Sequence, residues 1–249
     1  MERLKKIIRG RPVIICLGGK SIAELSVHMD NLRAFDICWM GLNLFQPAES
    51  ILRKVHKKFD LLYDSTSDNY SFDYLPKIKI PRLTEFLHRP DDNLLITTHG
   101  IVRDFFLGKF PSFYESYKSK IFVVDDVFPK ANIGDWMSVP NSATLAIAAA
   151  YAGGASKIIL LGCDGMGRKL STYYMPELHA EERIAALGHA EDTRIDSDFM
   201  RFERDLPVII EKYQSLFDNK ASVFNCSPDT MHRCLPILSY DELLNKLRT

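Results

Sequence analysis

The chain has 249 residues, 46% of them hydrophobic, and its 32 basic and 32 acidic side chains cancel to a net charge of zero. That size and hydrophobic content suit a globular protein with a sizeable core, and the balanced charge disfavours a nucleic-acid partner. No apolar run approaches the roughly 20 residues that cross a bilayer, and five cysteines without CxxC spacing give no metal-binding pattern.

The N-terminus, MERLKKIIRGRPVIICLGG, is basic and then apolar over too short a run for a signal-peptide core. It reads as a solubilising lead-in to the first strand. The sharper alternative is weak attachment to an anionic membrane through Lys5, Lys6, Arg9 and Arg11, at most a peripheral contact. Short runs rich in β-branched residues at 12–17, 36–40, 60–63, 93–97, 120–124, 157–161 and 221–225 predict strands buried on both faces. Amphipathic or small-residue stretches at 21–35, 48–58, 81–87, 142–152 and 196–217 predict helices between them, the last bent at Pro207. This alternation predicts an α/β fold: a mostly parallel twisted sheet flanked by helices, Rossmann-like, forming a single nucleotide-binding domain over 1–249. Cys16, Cys38 and Cys163 lie in the apolar runs, as buried thiols do, and imply a reducing, cytoplasmic compartment.

In such a sheet ligands sit in the loops at the carboxyl ends of the strands. The first of these loops is Leu17-Gly18-Gly19-Lys20-Ser21, where glycines allow close backbone approach and a following helix offers N–H groups to an anion. It is neither a Walker A loop nor GxGxxG, and an ordinary tight turn is its other reading. Asn43, after the second strand, has an amide suited to a base or ribose edge or to a plain turn. The stretch SVPNSATLAIAAAYAGGASKIILLGCDGMG reads as a polar loop, a small-residue helix capped at Asn141 and ended by Gly153-Gly154, a buried strand, and a second polar loop. It predicts Asn141, Ser142 and Asp164 near one crevice.

Residues 164–193 contain no strand pattern and read as a lid or active-site insertion, with Arg168, Lys169, Tyr173, Tyr174, His179 and His189 available for chemistry. A histidine there suits proton abstraction from a hydroxyl near neutral pH. Tyrosine hydroxyls and cations suit a departing phosphate without a metal. Asp164 is also a candidate magnesium ligand, although no second carboxylate is close in sequence.

Four blocks, VIICLGGKS, DICWMGLN, NSATLAIAAAYAGGASKIILLGCDG, and LGHAEDTRIDSDFMRFERD running on to VFNCSPDT, resemble the Cst-type bacterial sialyltransferases. The same blocks resemble the wider group of Maf flagellin glycosyltransferases and archaeal MptE-type pterin pyrophosphokinases. The resemblance implies metal-independent, inverting transfer of a sugar, such as sialic or another nonulosonic acid, from a CMP-activated donor to a glycan or protein acceptor. It implies that Gly18, Gly19, Ser21 and Asn43 line the nucleotide, and that Asn141 and Ser142 contact its CMP portion. Gly162 and Asp164 then shape the same wall, Tyr173 or Tyr174 assists phosphate departure, and His189 is the general base. The first loop departs from the family's Gly-x-Gly-Pro-Ser, Met166 replaces a tyrosine and Ala143 a glycine, which bears on the donor more than on the fold. The alternatives are an MptE-like pyrophosphokinase with Asp164 and Asp64 around magnesium and ATP, and a non-catalytic nucleotide-binding protein. The oligomeric state stays open.

Overall fold

The computed structural model of the protein describes residues 1–43, 48–65, 79–128, 141–165 and 195–248, with side chains from 202 onward in the last segment. Seven strands form one sheet: β1 (Pro12–Cys16), β2 (Cys38–Leu42), β3 (Leu61–Tyr63), β4 (Leu94–Thr97), β5 (Ile121–Val123), β6 (Lys157–Leu161) and β7 (Ser222–Asn225). All neighbours are parallel and the spatial order is β5-β4-β3-β2-β1-β6-β7. Each predicted run supplies one of these strands. The largest boundary shift is at β2, which starts at Cys38 and reaches Leu42.

Alternate residues of β1 feed two cores. Val13 and Ile15 face one side, and Ile14 and Cys16 face the other. This two-faced burial is why the strands read as continuous apolar runs rather than as alternating ones. Helices α2 (Leu25–Leu32), α3 (Ala48–Lys54), α4 (Ile80–His88), α5 (His99–Ile101, continuing as a π-helical segment Val102–Leu107) and α6 (Pro111–Tyr117) cover one face as the chain steps outward from β1 to β5. The chain then returns to place β6 on the other side of β1. Right-handed crossovers put helices on the opposite face once the direction reverses, and α7 (Ser142–Gly153) and α8 (Ile195–Phe217) lie there with α1 (Glu2–Ile8). The last helix, α9 (Tyr240–Arg248), returns to the first face beside α2.

Helix α7 is buried on every side, packed between the sheet, α1, α8 and the 124–127 turn. Its alanines let the neighbouring backbones come close, and a helix apolar all round belongs in such a place. Asn141 caps it in a reciprocal box with Thr144, and Gly154, at φ 81° and ψ 39°, ends it in the left-handed conformation, as predicted. One expectation is corrected. The N-terminal segment is a helix that buries Leu4, Ile7 and Ile8 against α7, with Lys6 paired to Asp92 and Arg11 to Asp36. Helix α8 contains Pro207 on its exposed side, while Phe202, Leu206, Ile209 and Tyr213 face the core, as predicted.

Cys16, Cys38, Cys163 and Cys226 are buried free thiols, and no helix among the described residues is long and apolar enough to cross a membrane. The contact between α1 and α7 is tight: a Cβ on Gly153 would stand 2.5 Å from Ile8 Cδ1 and 2.8 Å from Ile8 Cβ. Gly153→Ala is therefore expected to cost about 1–3 kcal/mol by urea denaturation, the range for overpacking a close contact. Ile8→Val, which removes the nearest atom, should recover part of that loss in the double variant, giving a non-additive pair.

Candidate functional site

The strand order reverses between β1 and β6, and an open α/β sheet forms a crevice at such a switch point, outside the carboxyl ends of the strands. Here the two loops are closely joined. The N–H of Leu17 donates to Leu161 O at 2.8 Å and that of Gly19 to Gly162 O at 3.0 Å, carrying the ladder past the last strand residues. Gly162 holds φ at +71°, a turn that a side chain disfavours. A Cβ on Gly19 would lie 2.5 Å from Gly162 O and 2.6 Å from the Asp164 carboxylate, so only glycine fits the first loop.

Asp164 is buried, and both of its oxygens are engaged by one residue. Oδ2 accepts from Ser21 N at 3.0 Å, and Oδ1 accepts from Ser21 Oγ. Ser21 Oγ also lies 3.0 Å from Ser227 Oγ, which accepts from Cys163 N at 3.0 Å. The loop after β7 straps this assembly from behind. Thr230 Oγ1 donates to Cys163 O at 2.7 Å, Asn225 Nδ2 to the same oxygen at 3.1 Å, and Met231 N to Asp164 O at 2.8 Å. Gly19, Ser21, Gly162 and Asp164, named from the sequence, are thus in direct contact, with half-buried Gly18 beside them.

The remaining predicted residues occupy another part of the same edge. Asn43 is exposed beyond β2 at φ +65°, the left-handed region that asparagine tolerates, and its N–H donates to Tyr63 O at 2.7 Å. Ser142 Oγ lies 3.0 Å from Ser65 Oγ at the end of β3. The amino end of α7 therefore sits over β3, two strands from β1, a lateral distance of about 10 Å at ordinary strand spacing. Asn141 uses Oδ1 to accept from Thr144 N at 2.9 Å. Asn141, Ser142 and Asp164, predicted near one crevice, stand along one edge of the sheet, Ser142 against Ser65 after β3 and Asp164 against Ser21 after β6.

Asp64, also at the end of β3, is fully buried against Lys79 Nζ at 2.6 Å, and that ammonium lies 4.3 Å from the centre of the Phe105 ring. His189, Tyr173, Tyr174, Arg168, Lys169 and His179 lie outside the described residues, as does the predicted insertion from 166 onward.

One pair went unnoticed in the sequence. His232, buried in the loop after β7, places Nδ1 3.1 Å from Glu203 Oε2 on α8, and Glu203 Oε1 accepts from Arg233 N at 2.7 Å. The resemblance blocks end at VFNCSPDT, just short of it, and a lone histidine in MHRC carries no spacing signal. Its one sequence cue is a position after the last predicted strand, on the ligand edge. No protein-family model and no curated protein matches the chain.

Burial lowers the His232 pKa from its ordinary 6.5, against the opposing pull of Glu203 and Asp164. For Glu203, burial pushes upward, but the Arg233 amide and the Cys234 and His232 side chains outweigh it and hold the carboxyl below 4.5. The unfolded chain takes up a proton at His232 before the folded one does, so stability falls as pH drops below about 6.5 and levels off below the folded value. Glu203 adds stability above its unfolded value near 4.5, which is lost as pH falls through its lower folded value. Urea midpoints are expected to decline in these two stages on acidification, and His232→Gln should shrink the first. A profile unchanged by that substitution would contradict the assignment.

Proposed function

We propose that the chain is a metal-independent, inverting glycosyltransferase that takes a sugar from a CMP-activated donor, with a nonulosonic acid such as sialic acid as the leading candidate. The resemblance of its four sequence blocks to sialyltransferases motivates the reading. The carboxyl edge supports it with a glycine-lined junction at the sheet's switch point and a polar helix end about 10 Å away. That span is comparable to a nucleoside monophosphate. In this reading Gly18, Gly19, Ser21 and Gly162 line one end of the nucleotide and Asn43 its middle, while Ser142 and the amide nitrogen of Asn141 meet the other end. His189 takes the proton of the acceptor hydroxyl, whose oxygen attacks the anomeric carbon. The bond to the phosphate oxygen breaks as CMP leaves, helped by Tyr173 or Tyr174, and a single displacement inverts the centre.

One observation carries this reading over a magnesium-dependent pyrophosphokinase. Asp164, the carboxylate that reading uses, and Asp64, its candidate companion, are each bonded to a protein group, Ser21 and Lys79. They stand at the ends of β6 and β3 with β1 and β2 between them. At about 4.8 Å per strand they are too far apart to share one ion.

Calorimetry against CMP, CDP, ATP and GTP, with magnesium or EDTA, tests the choice. CMP binding that is indifferent to EDTA is expected, whereas magnesium-dependent ATP binding would move the assignment to the kinase. His189→Ala should abolish turnover of the CMP-sugar while leaving CMP affinity nearly unchanged, and retained turnover would reject His189 as the base.

A further inference from the structure

The loop after β1 has the form of an anion cradle, yet several of its donors are already in use. Gly19 N–H donates to Gly162 O, Ile22 N–H to Gly19 O at 3.2 Å, and Ser21 N–H to the Asp164 carboxylate at 3.0 Å. The Ser21 hydroxyl donates to the same carboxylate. A phosphate entering this loop would meet a negative charge 143 residues away in sequence that is buried, doubly hydrogen-bonded and backed against Gly19. Displacing Asp164 would also strip the two hydrogen bonds that join the β1 and β6 loops, and a carboxylate left without them is costly in a buried place.

We propose that Asp164 is a built-in anion that sets ligand specificity: it fills the anion position of the β1 loop, so the switch-point crevice accepts an uncharged, hydrogen-bonding portion of the ligand and rejects polyphosphate. The ligand class is then a nucleoside carrying one phosphate, with that phosphate stopping short of the β1–β6 junction, so that a second and third phosphate would be driven against Asp164. The inference rests on the nucleotide reading above and narrows it. It also gives the buried carboxylate a role that a metal ligand at this position would not have, because both oxygens face Ser21 rather than a shared ion.

The test is isothermal titration of the full chain, as wild type and as Asp164→Asn, with CMP, CTP and inorganic pyrophosphate in EDTA. Wild type should bind CMP at least about tenfold more tightly than CTP and bind pyrophosphate undetectably, because like-charge juxtaposition is strongly unfavourable. Asp164→Asn keeps the size of the side chain and removes its charge. It should narrow the CMP-to-CTP gap to about threefold or less and make pyrophosphate binding measurable, since the repulsion is gone. Equal or tighter wild-type binding of CTP overturns the proposal, and so does an unaltered gap in a variant whose circular dichroism shows it folded. If the variant does not fold, wild type is titrated with an alkyl ester of CMP as long as CTP. Binding close to that of CMP is expected, and rejection as strong as that of CTP is steric and rejects the role of Asp164. If wild type binds neither nucleotide, the nucleotide reading fails by itself. Pyrophosphate binding gained by Asp164→Asn still supports the built-in anion, and no gain rejects it.

Discussion

The junction of β1 with β6 is the contact on which the rest of the edge depends. Five residue pairs hold these strands in register, and the ladder continues into the loops through Leu17 and Gly19. That continuation is possible only because Gly19 has no side chain and Gly162 takes a left-handed turn. The two loops then meet closely enough for Asp164 to reach the amide and hydroxyl of Ser21. Buried carboxylates persist when hydrogen-bonded, and this one also fastens the strap after β7 through its own backbone oxygen. The crevice is thus stiffened from three sides by groups that a ligand need not supply.

The edge divides its labour between two stations. At the junction, donors and acceptors are largely satisfied by one another, so its contribution to a ligand is shape, local charge and a few remaining polar groups. Over β3, the end of α7 presents Asn141 and Ser142 beside Ser65. Beneath them the Asp64–Lys79 pair lies buried, an arrangement that is costly to break by removing one partner because a charge would be left uncompensated. The His232–Glu203 pair extends the same edge toward β7.

Much of the architecture was legible from local pattern. All seven strands announce themselves as short apolar runs, since burial on both faces leaves no room for polar alternation. The ends of α7 were equally plain, because Asn141 and Gly154 are residue types that the cap geometries select. Other helices were silent. In α5, its π-helical continuation and α6, the sequence HGIVRDFFLGKFPSFYESY breaks its apolar period with Gly and Pro while aromatic packing on the sheet holds it helical. The opening helix α1 hides behind its lysines and arginines, whose apolar neighbours become meaningful only against α7.

The sequence by itself determined the α/β alternation, the caps, and the glycines and polar residues that gather after the strands, because those depend on neighbours within a turn or two of the chain. Tertiary structure decided which strand ends stand together. Alternating strands and helices are compatible with several strand orders, and only the return of the chain to the far side of β1 brings Ser21 to Asp164 and carries Ser142 off to Ser65. It also decided that the β1 loop meets a carboxylate of the protein itself, since whether a donor is available depends on what the folded chain packs against it.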